Sequence, residues 1–223
     1  LMDTGATFVT TDDVVLFEYL ELGSVSGVTP NEGQAGTRVE ISGARLLGGG
    51  TSFESVVFGD VEMDIQDGGS DSSVNVIDVG GGVVDTAVDV VITADTGARV
   101  TLVDGWTQLV TGVISTLTPT SGQQGTVVTI DGTDMLSGGS EVVSVTLAGV
   151  EVAEITRGND DSELTVVAGT GSNAAGDVVM ISDSGAVVTK SDGWTYIEVG
   201  EITQTSPSSG QYPPRPHGCG YSH

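Results

Sequence analysis

"TPNEGQAGTRVEISG" occupies residues 29–43, "TPTSGQQGTVVTIDG" occupies residues 118–132, and "SPSSGQ" at 206–211 begins the same phrase a third time. The spacing is regular. Pro30, Pro119 and Pro207 stand 89 and 88 residues apart, Gly33, Gly122 and Gly210 keep those intervals, and Gly36 maps onto Gly125. Further on, "TADTGARVTLVDGWT" (93–107) matches "ISDSGAVVTKSDGWT" (181–195), which sets Trp106 against Trp194. The 223 residues therefore read as two full repeats, 24–111 and 112–199. Before them, residues 1–23 read as the tail of a preceding unit; after them, 200–211 read as the start of a following one, and 212–223 as an irregular tail. A repeat of about 88 residues is too long for a solenoid unit and suits an independent small domain.

Within each repeat the polarity alternates with period two. In "TRVEIS" Val39 and Ile41 take one side and Arg38 and Glu40 the other; Val128 and Ile130 take the inward places in "TVVTID". Val56 with Phe58, and Val145 with Leu147, share a face in the same way. One buried face per strand is the antiparallel pattern. "DTG" at Asp95 and "DSG" at Asp183 sit between alternating runs as hairpin turns that need a positive φ at glycine. Composition agrees: valine, threonine, serine and the 34 glycines dominate, and β-branched side chains fit a pleated surface. About seven short strands with turns between them predict an all-β chain of tandem immunoglobulin-like β-sandwiches. The opening phrase then has a mechanical role as the doorway of each sandwich. Pro30 and Pro119 cannot donate a ladder hydrogen bond and belong at a strand edge or entry. Gly33, Gly36, Gly122 and Gly125 let the chain turn where a Cβ would clash.

The doorway phrases, with their proline, spaced glycines and alternating strand ending at Gly43 or Gly132, resemble the start of IPT/TIG domains, an immunoglobulin-like fold. The resemblance covers residues 24–199 in two copies, with partial copies at both edges. It implies several settings: receptor ectodomains, transcription factors, accessory modules of carbohydrate enzymes, and long repeat arrays of protist and algal surface proteins. The closeness of the two copies is most like the surface arrays, and implies an extracellular or cell-surface place.

Net charge is −25, from 31 acidic and 6 basic side chains. Each repeat carries about the same share: 13 acids against 3 bases in 24–111, and 12 against 2 in 112–199, so −10 apiece. Such a surface repels phosphate backbones, which argues against nucleic acid and against the basic-loop transcription-factor branch. The acidity serves either solubility or life in a salty or calcium-containing medium. No run of 18 apolar residues exists, so no membrane insertion is expected. Cys219 is the single cysteine, and His217 and His223 lie with it in the tail. The repeated body thus has no histidine or cysteine, which removes Ser–His–Asp and Cys–His catalysis and zinc binding from it. The chain reads as non-enzymatic.

What remains is weaker. Asp67, Asp71, Asp160 and Asp161 lie in acidic loops and are weak calcium candidates; no cofactor is otherwise implied, and aspartate is also an ordinary solvated loop residue. Asp12 and Asp13 form a similar pair. Trp106, Trp194 and Phe17 are expected to begin a final strand after "DG", either packing in the core or stacking on a sugar. No N-x-S/T sequon occurs, while Thr29, Thr118 and Ser206 precede proline. The glycine runs at 48–50 and 80–82 read as turns.

The absence of a linker between repeats predicts neighbours packed in fixed relation. The expected function is a structural or interaction segment of a rod-like or filamentous surface assembly, partnered by neighbouring TIG domains of the same or adjacent chains. The alternative is an adhesion-receptor or carbohydrate-binding ectodomain module with glycans as partners. The copies differ most between 64–88 and 153–176, where such a site is expected. Residues 1–23 are expected to expose Phe8, Leu16, Phe17 and Leu20 for a neighbour to cover, as part of a longer polypeptide or a continuous assembly.

Overall fold

A computed structural model describes residues 6–11, 14–66, 68–157, 160–171 and 173–210. The side chains of Phe8, Leu16 and Phe17, the pair Asp12–Asp13, Asp67 and the tail 212–223 fall outside the described residues. Twenty strands follow one another, and no helix occurs among the described residues.

A short hairpin comes first, β1 (Ala6–Thr11) and β2 (Val14–Tyr19), paired antiparallel. The next nine strands are β3 (Ser24–Thr29), β4 (Glu32–Gly33), β5 (Arg38–Ala44), β6 (Phe53–Phe58), β7 (Val61–Glu62), β8 (Asp64–Ile65), β9 (Ser73–Ile77), β10 (Ala87–Ala94) and β11 (Arg99–Gln108). They build two sheets, ordered β3-β5-β9-β8 and β4-β11-β10-β6-β7. The last nine repeat the pattern: β12 (Val113–Thr118), β13 (Ser121–Gly122), β14 (Val127–Thr133), β15 (Val142–Leu147), β16 (Val150–Glu151), β17 (Glu154–Arg157), β18 (Glu163–Val167), β19 (Ala175–Ser182) and β20 (Val187–Tyr196). Their sheets run β12-β14-β18-β17 and β13-β20-β19-β15-β16. The chain is thus all-β, two immunoglobulin-like sandwiches in tandem.

The alternation read from sequence is the alternation that packs. Val39, Ile41, Val56, Phe58, Val74, Val76, Val90 and Ile92 fill the first core; Val128, Ile130, Val145, Leu147, Leu164 and Val166 stand in the second. The two cores are separate clusters. Burying side chains of this size contributes about 1.5–3 kcal/mol each before the entropy cost of ordering the chain.

The doorway phrase turns out to move the chain from one sheet to the other. β3 ends at Thr29 in the four-stranded sheet, and β4 begins three residues later, at Glu32, in the five-stranded one. Pro30 stands between them and, lacking an N–H, completes neither ladder. β4 pairs parallel with β11, and β13 parallel with β20, so the sheets are not purely antiparallel. Gly33 allows the crossing because a Cβ there would collide with the Thr37 side chain, with Cγ2 at 2.7 Å and Oγ1 nearer still, and Gly122 meets Thr126 in the same way. Thr29–Pro30, Thr118–Pro119 and Ser206–Pro207 are all cis.

One expectation is corrected. Trp106 and Trp194 do not begin a final strand after "DG". β11 and β20 start at Arg99 and Val187 and run straight through, with the tryptophans near their far ends. The "DG" pair is a bulge inside the strand: Asp104 and Asp192 have φ of 51° and 52°, and the register with β10 and β19 shifts there. A bulge adds a residue and re-aims the strand without ending it.

Candidate interdomain interface

The most elaborate polar arrangement in the chain lies where the two sandwiches meet. It is built from the doorway of the first and the β19–β20 hairpin tip of the second.

The doorway side is rigid by local bonding. After β4, the Gln34 amide donates to Thr37 Oγ1 at 3.1 Å and the Thr37 amide donates back to the Gln34 carbonyl at 2.9 Å. The Gly36 amide donates to the Asp78 carbonyl and the Asp78 amide to the Thr37 carbonyl, which fastens the loop to the end of β9. The tip side is rigid as well. The Asp183 carboxylate accepts from the Ser140 amide at 2.8 Å, from the Ser140 hydroxyl and from the Glu141 amide, tying the tip to the loop before β15. These bonds, the hydroxyl first, hold the Asp183 carboxyl below its ordinary value. Asp95 does the same in the first sandwich, accepting from the Thr51 hydroxyl at 2.7 Å and the Thr51 amide, with the same downward effect.

Across the junction the backbones bond directly. The Arg38 amide donates to the Ser184 carbonyl at 2.9 Å, and the Val187 amide donates to the Ala35 carbonyl at 3.1 Å. Gln34 bridges three pieces of chain: its Nε2 donates to the Val187 carbonyl at 3.0 Å, and its Oε1 accepts from the Gly112 amide at 2.7 Å. The side chain is 0% exposed, so both ends of the amide are used where water cannot replace them. Gly36 and Gly185 make the approach possible. Both have positive φ, 95° and 91°, and each would drive a Cβ into the other's carbonyl oxygen, at 2.7 and 2.8 Å.

The connecting segment packs into the joint. Leu109 lies beside Gly138, where a Cβ would stand 2.9 Å from Leu109 Cδ1. Segment 19–23 meets the first sandwich in the same way: Leu20 Cδ1 lies beside Gly49, and Gly23 and Gly112 fit against the Arg45 and Asp134 carbonyls. Arg45 adds a 3.2 Å ion pair with Glu21 and donates to the Leu22 carbonyl. A cleft of about 180 Å³ opens along the joint, lined by Asp85, Leu109, Val110, Asp134, Ser137, Gly138 and Asp161.

The other sequence candidates have definite places. Asp71 accepts from the Leu47 amide, Asp161 from the Leu136 amide, and Asp160 from the amides of Ser162 and Glu163 and the Ser162 hydroxyl. Each carboxylate brackets a loop, and the bonds at Asp160 hold its carboxyl low. Among the described residues, no three acidic, histidine or cysteine side chains come together to hold a metal ion. Trp106 and Trp194 are 1% and 0% exposed, and offer no ring face to a sugar. Trp106 leans on Phe58 with ring centroids 4.9 Å apart, and Trp194 stands edge-on to Tyr196 at 5.6 Å. A broad groove of about 460 Å³ crosses the outer side of the first four-stranded sheet, where Arg38, Glu40, Gln66 and Asn75 point outward. Sequence reasoning missed Gln34. The available signal was its recurrence in phase, as Gln34, Gln123 and Gln211.

The second sandwich matches the IPT/TIG domain. The match to that family covers residues 113–197. No curated protein matches the sequence. Among solved structures, the full extracellular region of plexin A4 superposes with a TM-score of 0.54 at 19% identity, covering 85% of this chain and 17% of that one. The chain thus spans about a sixth of the plexin chain, and the likeness is one of fold. More distant are SGBP-B from a complex xyloglucan utilization locus in Bacteroides uniformis (TM-score 0.34, 16% identity, 78% of this chain, 50% of that) and the Gamma-CGTASE from alkalophilic Bacillus clarkii (0.34, 14%, 82%, 28%). At that distance neither bears on what this chain does.

Proposed function

We propose that this chain is a non-enzymatic structural and interaction segment of an extracellular or cell-surface repeat protein, in which TIG sandwiches are fixed end to end as a stiff, rod-like unit of a larger assembly. The observation that supports it is the Gln34 joint: two backbone hydrogen bonds, a buried bridging amide and a glycine–glycine contact between neighbouring sandwiches. A flexible tether would need none of these, and independent domains joined by loose linkers move by default. On this reading residues 1–23 end a preceding sandwich and residues 200–211 open a following one, because segment 19–23 enters the first sandwich as 108–112 enters the second. Uniform negative charge along the rod keeps it extended and leaves lateral packing to screening or bridging cations. Small-angle scattering of the chain and of Gly36→Asn tests this. Asparagine tolerates the positive φ but brings a Cβ into the joint. The parent chain should scatter as one extended particle of fixed shape, and the variant as a hinged pair. Identical profiles typical of freely jointed domains would refute it.

The groove over the outer side of the first four-stranded sheet supports a second reading, a glycan-binding module. Arg38, Glu40, Gln66 and Asn75 offer planar polar groups suited to sugar hydroxyls, and Gln66 and Asn75 lie in the stretch where the two repeats differ most. A glycan array with signal lost in Gln66→Ala and Asn75→Ala would favour it; background binding throughout would remove it.

A further inference from the structure

Gln108 and Tyr196 hold the same place in the two repeats, two residues beyond Trp106 and Trp194 at the ends of β11 and β20. In the second sandwich the Tyr196 ring fills that place. It stands edge-on to Trp194 at 5.6 Å and is fully buried, and Gly171 lies against it, where a Cβ would meet three ring carbons at 2.6–2.7 Å. In the first sandwich this strand supplies no ring. Phe58, which replaces Leu147, leans on Trp106 and takes part of the space. What is left is a cavity of about 140 Å³, walled by Phe58, Met63, Val88 and Trp106 and roofed by the loop at Gly81–Val83. Gln108 lines it and is 5% exposed. Its Oε1 accepts from Trp106 Nε1 at 3.4 Å, and its Nε2 donates to no group among the described residues. A buried donor is thus left over at an apolar cavity. The cavity opens at the end of the first sandwich from which the chain passes to the second, and the second sandwich, in place, contributes no wall and leaves it open. The loop over it is the longer of the two: nine residues (78–86) join β9 to β10, against seven (168–174) between β18 and β19. It leaves Val79, Val83 and Val84 exposed, with Val83 at the mouth.

We infer that this cavity is a docking pocket for a tyrosine side chain carried by a partner protein. Tyr196 shows what the place accepts, a phenol ring between a loop glycine and the strand tryptophan. The size agrees, since an apolar cavity of about 150 Å³ holds one benzene ring. The incoming phenol oxygen accepts from Gln108 Nε2, which gives that donor its missing partner. Val83 and Val84 add apolar surface beyond what one ring covers, so the ring arrives on a chain segment that also covers the valines. An aromatic anchor in a pocket, ringed by contacts that exclude water, is how protein interfaces concentrate their binding energy. Asp60 at the mouth and the net −10 of this repeat select basic residues beside that tyrosine. Every wall belongs to the first sandwich, so the pocket does not depend on the joint being fixed.

The experiment titrates the isotope-labelled full chain with p-cresol, the tyrosine side chain alone, and separately with a short peptide that has tyrosine at its centre, a valine on each side and an arginine at each end. Both should give saturable shifts of the Trp106 indole N–H, the Gln108 side-chain amide and the amides of Gly81–Val83. The second sandwich should not respond, because Tyr196 fills its own pocket. The peptide should bind on the order of tenfold more tightly than p-cresol, and the same peptide with alanine for tyrosine should not bind. Gln108→Met keeps the space without the donor and should bring p-cresol down to the affinity of toluene. Gln108→Tyr copies the second repeat and should remove every response. Gly82→Leu narrows the cavity from the loop side, at a glycine whose φ lies outside the left-handed region, and should do the same. Unchanged melting temperatures verify the fold of each variant. No saturable shifts in the unaltered chain, or shifts that survive Gln108→Tyr and Gly82→Leu, would overturn the pocket. A peptide that binds no more tightly than p-cresol, or equally well with alanine, would overturn the partner protein as its occupant.

Discussion

Gly36 and Gly185 face each other across the two sandwiches, each in a positive-φ conformation, so close that a Cβ on Gly36 would stand 2.7 Å from the Gly185 carbonyl oxygen. Neither glycine is there only to turn its own loop. Together they let two backbones approach near enough for the Arg38 and Val187 amides to bond across the gap.

Gln34→Ala should cost about 1–3 kcal/mol, because it leaves the Gly112 amide and the Val187 carbonyl without partners at a buried site. Gln123→Ala should cost under about 1 kcal/mol, since its one long-range bond, to the Gly200 amide, is exposed. Urea denaturation of both variants checks the order. Equal costs would show that burial by the neighbouring sandwich is not what makes Gln34 matter.

Trp106→Ala and Trp194→Ala should each destabilise by about 3–5 kcal/mol, with the loss felt in the sandwich that holds the ring. Unchanged unfolding midpoints would mean that the rings do not pack as described.

Tyr196→Phe should leave stability unchanged or raise it. The hydroxyl is buried with the Gly169 backbone beside it but no well-formed hydrogen bond, and burial outweighs that neighbour and pushes the phenol up. Removing an unsatisfied buried group gives up nothing it was gaining. A fall in the melting temperature would reveal a partner for that hydroxyl.

Acid should loosen the hairpin tip. Bonds from Ser140 and Glu141 hold the Asp183 carboxyl below its ordinary value of 3.8. A depressed carboxylate contributes fully above its unfolded-state value, and that contribution is lost as pH falls through the lower, folded value. Amide signals of Ser140 and Glu141 should therefore stay fixed at neutral and mildly acidic pH and shift only below the ordinary carboxylate range. In Asp183→Ala they should be displaced at every pH. Signals in the parent that move at mildly acidic pH would contradict the lock.

Strand alternation, the doorway phrase and the repeat were legible in the sequence because each is a local pattern: Val39 and Ile41, or Val128 and Ile130, announce their face without help from elsewhere. The "DG" bulge was not, because Asp104–Gly105 carries the residues of a turn while the ladder to β10 resumes beyond it. Gln34 was not legible for a deeper reason. A glutamine between glycines reads as a solvated loop residue, and its burial is conferred only by the neighbouring sandwich, 153 residues away at Val187. Interfaces between domains are written in residues whose local setting gives no sign of them.

Amide hydrogen exchange in dilute solution tests the fixed joint most directly, because the chain supplies its own controls. Arg38 and Val187 bond across the junction; among the described residues their repeat counterparts Val127 and Arg99 make no such bond. A fixed joint gives slow exchange at Arg38 and Val187 and fast exchange at Val127 and Arg99, with Gly36→Asn bringing the first pair to the rate of the second. Equal exchange within the pairs Arg38 and Val127, and Val187 and Arg99, in the unaltered chain would contradict it.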